Sequence, residues 1–421
     1  MALSRPGTSE SAYSHRAIMR KHTFIRRTLA LAACAAIAAT PSVPLWGAGT
    51  TARAATAKKT TTTSTTRTAR KHSITSYGVP TYADSTVGDD AQYDDPIVRE
   101  AAVEGLGRYN GAVVAINPNN GRILTVVNQQ LAFSAGFIPC STIKPVIALA
   151  ALEQGVIDQD SMLEVANRRY MNLTEALAHS NNVFFEQLGR VMGFDTVLRY
   201  ARMMGLGERT GYDIPEEQSG VLPTAPPEFG GVARMSSFGQ GIQITPLELG
   251  SVVSTIANGG TMYYLQYPRT KEALDSFEPR IKRQLPIESL LPQIRDGMLA
   301  AVLYGTAQRS WDYVSEQPLG KTGSCSDSSS RIGWFASYAD ELHPRIVLVV
   351  LMRGHNHVVE GPMAAGIAGR IYHRLHEENY LESELPALQS KDEAPGAPSA
   401  IAPAASSTAQ ASSANASGAL R

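Results

Sequence analysis

The sequence predicts an α+β fold in which one sheet is completed by segments far apart in the chain. Three observations point to it. Two β-branched stretches flank Asn119-Asn120-Gly121, the signature of a tight hairpin. From Ser141 to about Leu303 the pattern is mostly helical, interrupted by a proline-rich loop at Pro215 to Pro227. Two further strand patterns, Arg331 to Tyr338 and Arg345 to Leu351, come late and precede a helical stretch from Met363 to Leu375 that should pack on the sheet.

The first elements concern export. Arg20, Lys21, Arg26 and Arg27 precede an apolar run from Leu29 to Ala39, followed by Pro41, Pro44 and small residues, as in a secretory signal. The run is too short to span a bilayer comfortably, and Met19 is an alternative start. Cleavage near Ala52-Arg53-Ala54 gives a soluble exported protein, whereas Leu31-Ala32-Ala33-Cys34 resembles a lipoprotein cleavage box and gives a lipid-anchored one; an uncleaved N-terminal anchor is the third reading. Residues 1–57 are therefore read as signal peptide or anchor of an exported bacterial protein, in the periplasm or on the outer face of the cytoplasmic membrane.

Residues 58–95 read as a disordered threonine-rich linker. Between Gly49 and Ala83 there are six basic residues and no acidic one, a composition that cannot bury a core and would be drawn weakly to anionic wall polymers or lipid headgroups. Residues 96–385 form the expected folded domain, and the alanine, serine and proline of 386–421 read as a disordered tail. Lysine plus arginine equals aspartate plus glutamate at 38 each in 421 residues, so net charge suggests no nucleic-acid partner.

Within the domain three short motifs carry chemistry: Ser141-Thr142-Ile143-Lys144, Ser180-Asn181-Asn182 and Lys321-Thr322-Gly323. Residues three apart on a helix share a face, so the Lys144 amine can reach the Ser141 hydroxyl. Ser141 stands where a helix should begin, with Pro145 in the first turn and Gly155 at the end. Unpaired N–H groups and the positive end of the dipole favour an anion forming there. A nucleophile, an amine base, a second hydroxyl with an amide, and a cationic clamp are the equipment for acyl transfer through a serine ester. Singly the first two motifs are near chance frequency, about one or two Ser-x-x-Lys and one Ser-x-Asn in such a chain, whereas about 0.1 Lys-Thr-Gly is expected. Asn181 and its neighbours also suit a plain helix cap before Val183-Phe184-Phe185, and Trp334 reads as core or cleft wall. His355 and His357 lack a carboxylate at ligand spacing and read as surface loop, so neither metal nor cofactor is expected.

Together the motifs resemble the transpeptidase domain of penicillin-binding proteins, the serine acyltransferase superfamily that includes the serine β-lactamases. The resemblance runs from about Gly111 to Leu375, taking in Val113 to Pro118 with Gly121 to Leu124, Gly239-Gln240-Gly241, Thr245-Pro246-Leu247 and Ala257 to Gly260. It implies a five-stranded antiparallel sheet flanked by helices, a mostly helical subdomain, and an active site between them. It also implies that Ser141 attacks a peptide carbonyl, that Lys144 takes its proton, and that Ser180 relays a proton to the leaving amine. By the same resemblance Asn182 holds the substrate amide, while Lys321 and Thr322, on an edge strand opened by Gly323, bind its terminal carboxylate. The N–H groups of Ser141 and Ser324 form the oxyanion hole. The implied partners are peptidoglycan stem peptides and β-lactams, with glycosyltransferase or division and elongation proteins beside them.

Removing a leader beyond Cys34 leaves Cys140 and Cys325, each next to an oxyanion-hole residue. If those N–H groups converge, the flanking Cα atoms come within disulfide range, and an exported protein meets an oxidising compartment; a Cys140–Cys325 bridge is expected. It departs from the family, which commonly has glycine or alanine at position 140 and threonine in place of Ser324-Cys325, and it is similar to a bridge in certain carbapenem-hydrolysing β-lactamases. Yet 141 residues separate Ser180 from Lys321, a longer gap than β-lactamases usually have, and no obvious deacylation base appears, with only Glu216 and Glu217 in the proline-rich loop left open. D,D-transpeptidase therefore stands first, ahead of D,D-carboxypeptidase or endopeptidase, serine β-lactamase, and a non-catalytic β-lactam sensor.

Overall fold

The computed structural model describes residues 77–383 apart from residue 135. The export pattern, the linker up to residue 76 and the tail from 386 lie outside the described residues.

The domain opens with helix α1 (Pro96–Leu106), capped by the Asp95 side chain with proline at its first turn. The expected hairpin follows as β1 (Gly111–Ile116) and β2 (Ile123–Val127) around the Asn119-Asn120-Gly121 turn. A 3-10 turn, Cys140–Ile143, leads into α2 (Lys144–Glu153). After β3 (Leu163–Ala166) and β4 (Arg169–Met171) come α3 (Asn182–Met203), broken at Gly193, and α4 (Pro246–Ala257). Strands β5 (Thr261–Tyr263) and β6 (Ile281–Gln284) precede α5 (Leu291–Leu303). The chain then lays down β7 (Pro318–Ser326), β8 (Arg331–Ala339) and β9 (Ile346–Gly354), and closes over them with α6 (Gly361–Glu377).

The main sheet has five antiparallel strands in the order β2-β1-β9-β8-β7. Late strands pair with early ones because β9 slots between β1 and β8. Both faces are covered, so β1, β2 and almost all of β9 are buried without the alternation of a half-exposed sheet. Val114, Ile116, Val349 and Leu351 share one core with α2 and α4, while Val113, Ala115, Leu348 and Val350 share the other with α1 and α6. Helix α6 lies close because Ala364, Ala365 and Ala368 line its buried stripe beside Ile367 and Ile371. Truncating Ile371 to alanine would cost about 2–5 kcal/mol.

Two sequence expectations need correction. The hairpins β3–β4 and β5–β6 fall in the stretch read as mostly helical; their strands have three or four residues, too short to display a period of two. The stretch 77–95, read as linker, packs onto the domain instead. Asp89 accepts from Arg99 at 2.8 Å and from the N–H groups of Asn128 and Gln129 at 3.0 and 2.8 Å, and Asp94 accepts from Thr125 at 2.6 Å. A polar, aspartate-rich composition looks like a solvated linker, but these carboxylates are buried and spent on partners far along the chain.

Candidate active site

Ser141 sits inside the 3-10 turn rather than at the head of a full α-helix. Pro145 has no N–H to offer the Ser141 carbonyl, so Lys144 donates to it and the turn tightens to i→i+3 geometry. The preceding residue, Cys140, has φ +53°, a left-handed conformation that costs a side chain-bearing residue on the order of 1–3 kcal/mol. Glycine would adopt it freely.

The four motif side chains meet at one amine. Lys144 Nζ lies 2.9 Å from Ser141 Oγ, 3.0 Å from Ser180 Oγ, 2.8 Å from the Ser180 carbonyl and 2.8 Å from Asn182 Oδ1. Ser180, at φ +54°, ends the turn after the short helix Leu173–Ala178. Asn181 supplies the N-cap of α3, accepting from Phe184 N–H at 3.0 Å, so the plain capping role falls to the middle residue and frees its neighbours to face Lys144. Asn182 Oδ1 is engaged by the amine, which narrows the substrate-holding role expected of that residue to its amide nitrogen.

Counting protons shows what state suits this cluster. The Ser180 carbonyl and Asn182 Oδ1 can only accept, and a neutral amine has two hydrogens to give them. Its lone pair is then left for a hydroxyl to donate into. Burial first, and then the charge of Lys321, hold the Lys144 amine well below its ordinary range, against a smaller upward pull from Glu186. Lys321, itself buried on β7, is brought down to about 7 by burial and donates to the Thr322 carbonyl at 3.0 Å. Among the described residues no carboxylate pairs with Lys321, so its amine is buried without a counter-charge.

Strand β7 lies at the sheet edge and touches the 3-10 turn. A Cβ on Gly323 would stand 3.0 Å from the Pro139 carbonyl and 3.2 Å from Cys140 Cβ, so glycine permits this approach. Cys140 and Cys325 are joined as a disulfide across the same contact, their Cα atoms 5.6 Å apart. Trp334 is fully buried and donates from its indole N–H to the Ile138 carbonyl at 2.9 Å, fixing the segment that leads to Ser141. The Ser324 hydroxyl accepts from Gly361 N–H at 2.8 Å, which ties it to the start of α6.

No sequence signal marks Thr306, which follows α5 and whose hydroxyl lies 2.6 Å from that of Thr322. Only a motif extending beyond Lys-Thr-Gly would have found it. Glu216 and Glu217 are engaged by residues outside their loop: Glu217 is buried and accepts from Thr210 and Gly211 at 2.7–2.9 Å, and Glu216 pairs with Arg269. His355 contacts the Val79 carbonyl at 3.1 Å on the surface.

A family model described as the penicillin binding protein transpeptidase domain matches residues 111–375. The chain belongs to this family. It is 27% identical over 310 residues to stage V sporulation protein D of Bacillus subtilis (strain 168), covering 61% of this chain and 48% of that protein. It is 24% identical over 312 residues to peptidoglycan D,D-transpeptidase FtsI of Escherichia coli (strain K12), covering 64% and 52%. The chain thus spans about half the length of these relatives. In fold it is similar to the D,D-transpeptidase domain of a peptidoglycan glycosyltransferase from Eggerthella lenta, with TM-score 0.55, 20% identity and coverage of 68% of this chain and 82% of that one. It is likewise similar to a structure of penicillin-binding protein PBP2 in complex with MreC from Helicobacter pylori, with TM-score 0.58, 20% identity and coverage of 67% and 63%.

Proposed function

We propose that this protein is a penicillin-binding D,D-transpeptidase that cross-links peptidoglycan through a serine acyl-enzyme on D-Ala-D-Ala stem peptides. One observation carries the reading: a buried, depressed lysine amine within 3.0 Å of two serine hydroxyls and an asparagine, beside a second buried lysine. In this reading Lys144 accepts the Ser141 proton as Oγ attacks the penultimate carbonyl carbon. The N–H groups of Ser141 and Ser324 receive the oxyanion, the kind of contact that is often the largest electrostatic contribution. Ser180 passes the proton to the departing D-alanine nitrogen as the peptide bond breaks, leaving an ester on Ser141. An acceptor amine then attacks the ester, its proton returning through Lys144, and Ser141 is released. Asn182 holds the substrate amide, and Lys321 with Thr322 and Gly323 binds the terminal carboxylate.

The folded unit is assigned to residues 77–383, behind an exported leader and a threonine-rich tether, in the periplasm or at the outer face of the membrane. Among the described residues no helix is long and apolar enough to cross a membrane. Division or elongation proteins are the proposed partners, supported by the relatives named above. Carboxypeptidase and β-lactamase activities are disfavoured because both loop carboxylates that could activate water are bound elsewhere. Purified protein mixed with a fluorescent penicillin should give a long-lived adduct that Ser141→Ala abolishes. Rapid loss of the label would instead indicate a β-lactamase, and absence of labelling would overturn the enzymatic reading.

A further inference from the structure

Resting on that acyl-transfer reading, we propose that Thr306 is a positioning residue: it turns the Thr322 hydroxyl toward the substrate carboxylate and holds the Ser180 turn at a fixed distance from β7. Four contacts around one turn carry this. The Thr306 and Thr322 hydroxyls are 2.6 Å apart, so one of them donates to the other. Thr306 N–H donates to the Ala178 carbonyl at 3.0 Å, two residues before Ser180. Gly305 packs so closely there that a Cβ would stand 2.1 Å from the Ala178 oxygen, and the Tyr304 ring packs at a tilt against His179 with centroids 5.8 Å apart. A single turn therefore grips both the segment presenting Ser180 and the hydroxyl of the strand motif.

The direction of the shared hydrogen bond follows from the ligand. A carboxylate beside Lys321 can only accept, so it selects the arrangement in which Thr306 donates to Thr322 and Thr322 gives its own proton to the anion. Without the Thr306 hydroxyl, Thr322 loses the donor that fixes this arrangement. The loss is felt by anionic ligands and not by neutral ones, whereas a merely structural role for Thr306 would affect both alike.

The test compares acylation by a penicillin and by its neutral methyl ester, at concentrations and times that label the wild type with both. Thr306→Val should slow acylation by the free acid roughly tenfold, the weight of one hydrogen bond to a charged group, with little change for the ester, and Thr306→Ser should restore the wild-type ratio. Thr306→Ala gives the same acid-to-ester ratio by a second route should the valine variant fold poorly, as judged by thermal unfolding. Equal slowing of acid and ester, no slowing of either, or failure of serine to rescue would overturn the proposal. Failure of the wild type to be labelled at all would instead sink the acyl-transfer reading.

Discussion

Replacing both bridged cysteines by serine should cost stability and slow acylation together. The bridge closes a loop of 185 residues, for which the chain-entropy relation gives about 5 kcal/mol, and removal of a native bridge typically costs 2–5 kcal/mol. The folded part described spans residues 77–383. At about 2.1 cal/mol/K per residue its unfolding entropy is about 0.6 kcal/mol/K, so the melting temperature should fall by roughly 3–8 °C. The bridge also ties the residue before Ser141 to the residue after Ser324, and Cys140 is held in a left-handed conformation. Relaxation there should widen the gap between the proposed oxyanion donors. Losing good geometry at one such donor costs up to 10²–10³-fold, so a partial loss of about tenfold in the acylation rate is expected. The assay is thermal unfolding with and without reductant, paired with the second-order rate of labelling by a fluorescent penicillin. An unchanged melting temperature would refute the stabilising role; a lowered one with an unchanged labelling rate would refute the link between the bridge and the site.

Lys144→Met should keep the fold and lower acylation by roughly 10²–10⁴-fold, the usual weight of general-base help, in the same labelling assay. The pH profile of acylation should be bell-shaped: it rises as Lys144, held low by burial and by Lys321, loses its proton, and falls above about 7 as Lys321 loses the charge that binds a carboxylate. A profile still rising steadily to pH 10 would contradict this. Lys321→Met should abolish labelling yet stabilise the protein. Its folded value of about 7 lies below the ordinary 10.5, so the penalty is full below pH 7 and fades as pH rises toward 10.5. Denaturant unfolding should show a gain on the order of 5 kcal/mol at most at pH 6, and a smaller one at pH 10. Asp89→Ala leaves two backbone N–H groups without their acceptor and Arg99 with Asp94, at 3.7 Å, as its remaining carboxylate; it should cost about 2 kcal/mol in the same measurement, where a linker residue would cost nothing.

The parts of the fold that could be read from the sequence are those in which one local rule dominates. The hairpin at Asn119-Asn120-Gly121 announced itself through its β-branched flanks, and strands early and late implied one sheet completed by distant segments, while the order β2-β1-β9-β8-β7 came only from the structure. The candidate cluster was readable because Ser141 and Lys144 sit one turn apart and three motifs stand in one order, and the bridge was readable because cysteines flank Ser141 and Ser324. Thr306 was not readable, since its partners Ala178 and Thr322 lie 128 and 16 positions away and a Gly-Thr pair alone carries no pattern. Asp89 and Asp94 were misleading for the opposite reason: composition describes what a segment would do alone, and theirs is decided by Arg99, Thr125 and the start of a distant helical turn.

Strand β7 is the last in its sheet, and most proteins blunt such a margin with exposed charge or a bulge. Here the lysine on that strand is buried, so it offers no repulsion to another extended chain. The border that would take a substrate peptide as a sixth ribbon in the proposed reading is thus guarded by cover and not by charge, since Pro318 to Gly323 leave little surface for a second copy to grip.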